Sequence, residues 1–147
     1  MLLTFQCCFI TVFHDIFVRH AFGRYIDILR EVSYSPIMGQ QLSFKANKSR
    51  AYTYQKKRQI ADADENFSRE VMQLFSIGLV RLDDYGLPIL DPGTGQPLKT
   101  YTNDVIESLA RSWTAFDMSV ARGNVEGKSD SSSQVDPMVM QPEWRDV

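Results

Sequence analysis

The residues best placed to do chemistry lie between positions 64 and 80: Glu65, Asn66, Arg69, Glu70 and Gln73. Glu65–Arg69 and Asn66–Glu70 are each four apart, so on a helix both pairs line one side. There Glu70 could act as an acid or base while Arg69 and Asn66 hold an anionic or polar ligand. The same residues would also serve as a polar network tying the helix to its neighbours, or as a solvated face. His20, beside Arg19 and close to Arg24, is the second candidate catalytic group. It has no nucleophile or metal partner nearby in sequence, which equally suits a structural histidine. Arg111, close to Trp113, could complete a binding site with Asn66 and Arg69 in space.

Other patterns point to less chemistry. Lys45, Lys48, Arg50, Lys56, Lys57 and Arg58 form a basic stretch without an acid, interleaved with Tyr52 and Tyr54. Such a stretch could meet nucleic acid or phospholipid headgroups, but it comes without a folded recognition motif and reads as a solvated surface connection. Asp83, Asp84 and Asp91 lack the alternating ligand spacing and closing Glu of an EF-hand, and turn chemistry accounts for them. Cys7 and Cys8 are adjacent, so they imply no disulfide framework. With His14 and His20 they make no metal-ligand spacing. A Gly-rich phosphate loop, a nucleophile elbow and an HExxH motif are all absent from the chain. Neither a metal nor a cofactor is therefore expected.

These groups need elements to position them. Phe22, Ile26, Leu29 and Val32 recur at helical spacing over 16–33. Gly23 allows a break at residues 20–23 and a fresh helix from Arg24. Ser35-Pro36 reads as a cap followed by proline at the first helical position, opening a short helix to Leu42. The strongest helix spans 64–80, capped by Asp64, with Phe67, Val71, Leu74 and Phe75 on a buried face and Gly78 as its stop. Residues 81–101 are rich in Asp, Gly and Pro and read as an irregular β-hairpin, kept at an edge by Pro88. Thr102 is placed to cap a helix over about 103–116. Its buried stripe runs through Val105 or Ile106, Leu109, Trp113 and Phe116, and Glu107–Arg111 forms an i,i+4 pair. Residues 119–136, with three serines at 131–133, read as a mobile loop or disordered insertion.

Composition agrees with a globular chain. The 147 residues are 44 % hydrophobic and 23 % charged, with a net charge of −2. That excludes collagen-like, coiled-coil and wholly disordered chains. The near-neutral balance argues against a protein built around nucleic acid. Yet the two parts differ. Residues 1–61 hold nine basic and three acidic groups, a net +6, and residues 62–147 hold seven and fifteen, a net −8. Residues 1–13 are apolar but too short for a membrane span. They lack both the basic start and the small-residue cleavage site of a signal peptide. Both ends of the chain read as cuts through a larger domain.

Four segments carry a resemblance to a known family. They are Arg19–Leu29 with Ser35–Gly39; Asp64–Leu79; the hairpin ending in Gly95-Gln-Pro97; and Tyr101–Glu107 with Ala110–Phe116. Together, over 14–117, they resemble the bacterial "domain of unknown function 1800" family, which also has eukaryotic members. One departure stands out. The family pattern usually reads Thr-Gly-Trp where this chain has Thr114-Ala115-Phe116. Alanine lacks glycine's freedom at positive φ, so the preceding helix is expected to end differently. The resemblance implies a mainly helical, often exported protein whose domain runs to several hundred residues.

The expected fold is mainly α: four or five helices with one irregular β-hairpin insert, as a fragment of a larger helical domain. Residues 1–13 are an unassigned apolar segment, 14–117 the family-like part, and 118–147 a Ser/Gly/Asp-rich loop with a C-terminal remnant. The expected role is a structural or interaction module, whose partner is the remainder of its own larger domain. The alternative is a fragment of a hydrolytic enzyme using His20, Asn66, Arg69 and Glu70. The sequence names neither a reaction nor a compartment.

Overall fold

The structure, a computed structural model, describes residues 2–120 and 132–145. The central part of the expected 119–136 loop lies outside them. Among the described residues six α-helices form the body: α1 (Leu2–Arg19), α2 (Tyr25–Tyr34), α3 (Pro36–Gln41), α4 (Arg50–Lys57), α5 (Asn66–Gln73) and α6 (Asn103–Ser112). Two short antiparallel strands, β1 (Phe116–Asp117) and β2 (Val139–Met140), pair Phe116 with Met140 and Asp117 with Val139. A 3-10 turn at Pro142–Trp144 follows. The mainly-α expectation holds, with one or two more helices than the periodicity suggests. No helix among the described residues is long and apolar enough to cross a membrane.

The core is aromatic. Phe44, Phe67, Phe116 and Met138 are buried, and Tyr34 and Trp113 pack against them. Ring centroids lie 4.1 Å apart for Phe44–Phe67, 4.7 Å for Phe67–Trp113, 5.2 Å for Trp113–Phe116 and 5.5 Å for Tyr34–Phe116. Tilted and edge-on pairs of this kind are each worth about 0.5–1.5 kcal/mol beyond their burial. The cluster joins α2, α5 and the end of α6 to the 44–47 turn, and so fixes where α5 and α6 stand. Met138 closes it from the C-terminal side, and its backbone N–H donates to Tyr34 O over 2.8 Å.

Several local expectations need correction. The helix expected over 64–80 ends at Gln73. The N–H groups of Leu74 and Phe75 both reach Glu70 O, and the Ser76 hydroxyl takes Val71 O, so the side chain competes with the helical ladder. Gly78 does adopt a positive φ of 73°, but beyond the helix rather than at its last turn. Of the expected apolar face only Phe67 is buried, and Leu74 stands exposed. In the same way Phe22 and Ile26, read as core residues of the α2 stripe, are exposed. The basic stretch is not a plain connection. It holds α4, whose start is capped by Ser49 Oγ accepting from Tyr52 N at 3.2 Å.

The remaining expectations are met in part; the helix expected over about 103–116 ends at Ser112, because the chain turns at residues 113–115 and Phe116 pairs in β1. The chain breaks at residues 20–23 and restarts at Tyr25. Pro36 opens α3. Residues 80–99 form an irregular meander through bridges Val80–Lys99, Leu82–Pro88 and Leu90–Pro97. Asp83 Oδ1 accepts from the N–H groups of Tyr85 and Leu87, and Asp91 Oδ1 from those of Gly93 and Thr94, which is the turn role expected of them. Those N–H donors, that of Thr94 above all, hold the Asp91 carboxyl below its usual range. Thr102 stands at the α6 N-cap without a side-chain capping bond. Ala115 is fully buried at φ 76°. This chain therefore keeps a left-handed turn there with a residue that finds it costly, by about 1–2 kcal/mol.

Candidate functional site

Asp64 prepares the start of α5. Its Oδ1 accepts from Asn66 N at 2.8 Å, and its own N–H and C=O are held by the Asn47 side chain at 3.1 and 3.3 Å. This fixes the first turn of α5, from which Glu65 and Arg69 project four residues apart. Arg69 Nη2 donates to Glu65 Oε2 at 2.5 Å and to Asn103 Oδ1 at 2.9 Å. Asn103 Nδ2 in turn donates to Glu107 Oε1 at 2.9 Å. The result is a relay, Glu65–Arg69–Asn103–Glu107, that crosses from α5 to α6.

Beside the relay lies a cleft of about 250 Å³ whose lining includes Arg50, Asp62, Glu65, Glu107 and Arg111. Arg111 thus shares a cleft with Arg69's partner Glu65, although Arg69 itself does not line it. The expected Glu107–Arg111 pair does not form: Arg111 Nη2 donates to Ser108 Oγ at 3.1 Å, and Glu107 serves Asn103. Arg50 and Asp62, both lining the cleft, pair at 3.3 Å. Three carboxylates and two guanidiniums therefore balance closely, and the cleft can present hydrogen bonds of both signs to a polar ligand.

The other candidates stand elsewhere. Asn66 is exposed, and its backbone N–H, not its side chain, makes the bond to Asp64. Glu70 is half-buried and pairs with neither Arg69 nor another cation among the described residues. His20 lies at the α1–α2 junction, where its Nε2 is 2.6 Å from Glu31 Oε1 while Arg19 pairs with Glu31 Oε2. Bonds from His20 and then Arg19 hold the Glu31 carboxyl below its usual range. Arg24 makes a two-pronged contact with Asp27, both bonds 3.0 Å. His20 does not line the Arg111 cleft. Among the described residues no group of three or more His, Cys, Asp or Glu could hold a metal ion.

The basic stretch is divided. Lys48 Nζ stacks 4.4 Å from the Trp144 ring and 5.5 Å from Tyr52, Arg50 is acid-paired, and Lys56, Lys57 and Arg58 are exposed.

A family model described as "Protein of unknown function (DUF1800)" matches residues 6–147. The chain belongs to the DUF1800 family. The match spans nearly the whole chain and extends beyond the 14–117 that carry the visible resemblance. No curated protein and no solved structure matches the chain. Within this DUF1800 chain, the participants that sequence reasoning missed are Asn103 and Glu107 as a pair. Their spacing of four on α6 was a usable signal, since it sets both on one side of that helix.

Proposed function

We propose that this DUF1800 chain is a helical interaction module, and that its docking surface is the segment from the end of α5 through the meander. One observation carries the reading: within residues 74–90, Leu74, Leu82, Leu87 and Leu90 are 66, 54, 62 and 55 % exposed. Ile77, Leu79 and Tyr85 are exposed beside them. Scattered exposed apolar residues are ordinary, but their concentration within one segment supports a surface that another protein covers. The turns that present it are rigidified by Asp83 and Asp91, so the segment is displayed in a fixed shape.

The hydrolytic alternative draws less support, because His20 pairs with Glu31 at the α1–α2 junction and neither it, Asn66 nor Glu70 lines the Arg111 cleft. A photo-crosslinking amino acid placed at Leu82 tests the interaction reading. Discrete protein adducts are expected from Leu82 and none from the exposed polar position Gln55. Equal yields from the two positions would refute it.

A further inference from the structure

A second cleft, of about 610 Å³, opens between α5, the start of α6 and the returning arm of the meander. Its charge pattern is unlike that of its neighbour. Arg69 and Lys99 line it, and no carboxylate does. Glu65 pairs with Arg69 along the same side of the helix but lines the first cleft rather than this one. Both side-chain bonds of Arg69 run through Nη2, which leaves its Nη1 and Nε donors available. The Asn103 and Glu65 contacts hold the guanidinium in place, so little side-chain freedom remains to be lost when a ligand arrives. Lys99 is exposed and forms no ion pair among the described residues.

The rest of the lining is apolar or hydrogen-bonding. Leu79, Val80 and Ile106 provide apolar contact, and Tyr101 stands at the same wall. Leu79 is half-exposed in the free chain, so it has apolar surface to give up to a ligand. By contrast, a third cleft beside α1 and α2 has Arg19 and Arg30 offset by Glu31 and Asp136. One free ammonium, and a guanidinium that shares its charge with Glu65 but keeps open donors, suit an anion that carries an apolar body when they stand beside apolar side chains.

We propose that the Arg69–Lys99 cleft binds an organic carboxylate with an apolar tail, the carboxylate meeting the two cations and the tail covering Leu79 and Ile106. This site shares Leu79 with the docking surface above, but its assignment rests on the cleft's cations and does not depend on that reading.

Titration of the ¹⁵N-labelled chain with hexanoate, hexanol and sulfate tests the assignment. Saturable amide shifts centred on residues 99–106 are expected with hexanoate, with hexanol and sulfate each binding at least about five-fold more weakly, the scale of one exposed charge contact. Lys99→Gln should weaken hexanoate by a similar factor, with the rest of the spectrum unchanged as proof of folding. Hexanol binding as well as hexanoate would reduce the cleft to an apolar patch, and sulfate doing so would reduce it to a charge pair. Either result overturns the proposal. So would shifts confined to other residues, the absence of saturation up to the solubility limit, or an unaltered affinity in Lys99→Gln.

Discussion

Arg69 Nη2 lies 2.9 Å from Asn103 Oδ1, and this contact joins α5 to α6 across a sequence separation of 34. It places a guanidinium between two clefts of different charge. The same nitrogen also holds Glu65, so one side chain orders both helix starts.

The contact is exposed, and its energy is modest accordingly. A double-mutant cycle between Arg69→Ala and Asn103→Ala should give a coupling of about 0.5–1 kcal/mol in urea denaturation. Arg69→Lys should recover only part of it, because an ammonium cannot serve Glu65 and Asn103 with a planar fork. A coupling of zero would mean that the two helices are held together by their apolar contacts alone.

Phe67 bears far more weight. It is almost fully buried, between Phe44 at 4.1 Å and Trp113 at 4.7 Å. Phe67→Ala should cost about 3–5 kcal/mol, which lowers the melting temperature by roughly 6 °C or more for a chain of this length. A loss under about 1 kcal/mol would show that the aromatic cluster does not organise the fold.

Ala115 offers a test of backbone strain. Replacing it with glycine relieves about 1–2 kcal/mol at φ 76° but gives up a buried methyl worth about 0.8 kcal/mol and adds freedom to the unfolded chain worth about 0.4–1 kcal/mol. Ala115→Gly should therefore be neutral within about 1 kcal/mol. Ala115→Val, branched at a positive φ and enclosed on all sides, should destabilise by about 2 kcal/mol or more. Equal effects from the two substitutions would contradict a strained turn.

The α1–α2 junction should respond to acid. Glu31 has its carboxyl pulled below the usual range by His20 and Arg19. A lowered folded value means that its stabilisation is full above the ordinary carboxylate range, about pH 4, and fades as pH falls through the depressed value. The protection factors of the amides across Arg19–Gly23, corrected for the intrinsic pH dependence of exchange, should therefore fall in acid, and Glu31→Gln should show the lower protection already at neutral pH. Protection factors that do not change with pH below 5 in the wild-type chain would remove this role.

Much of this was legible from residue patterns where the determinants are local. Gly23 and Ser35-Pro36 marked the breaks around α2, and Asp83 and Asp91 marked turns, because turn chemistry acts within a few residues. Phe67 and Trp113 also showed themselves as core through helical spacing. What stayed hidden depends on distant chain. Residues 50–57 have no apolar stripe, and their helix leans on a Ser49 cap and on Trp144 beside Tyr52, ring centroids 6.4 Å apart. The early end of α5 comes from Ser76 taking a backbone carbonyl, which periodicity does not register. The Arg69–Asn103 contact spans two helices, so spacing on either one could supply only half of it.

The most direct measurement of the docking surface combines stability with crosslinking in one variant, Leu82→Ser/Leu87→Ser/Leu90→Ser. Exposed side chains of a docking surface contribute little to the free chain's stability, within about 0.5 kcal/mol each. The melting temperature should therefore move by no more than about 6 °C, while adducts from a crosslinker at the neighbouring exposed position Tyr85 disappear. A collapse of the melting temperature well beyond that, or adducts that persist undiminished, would contradict the account.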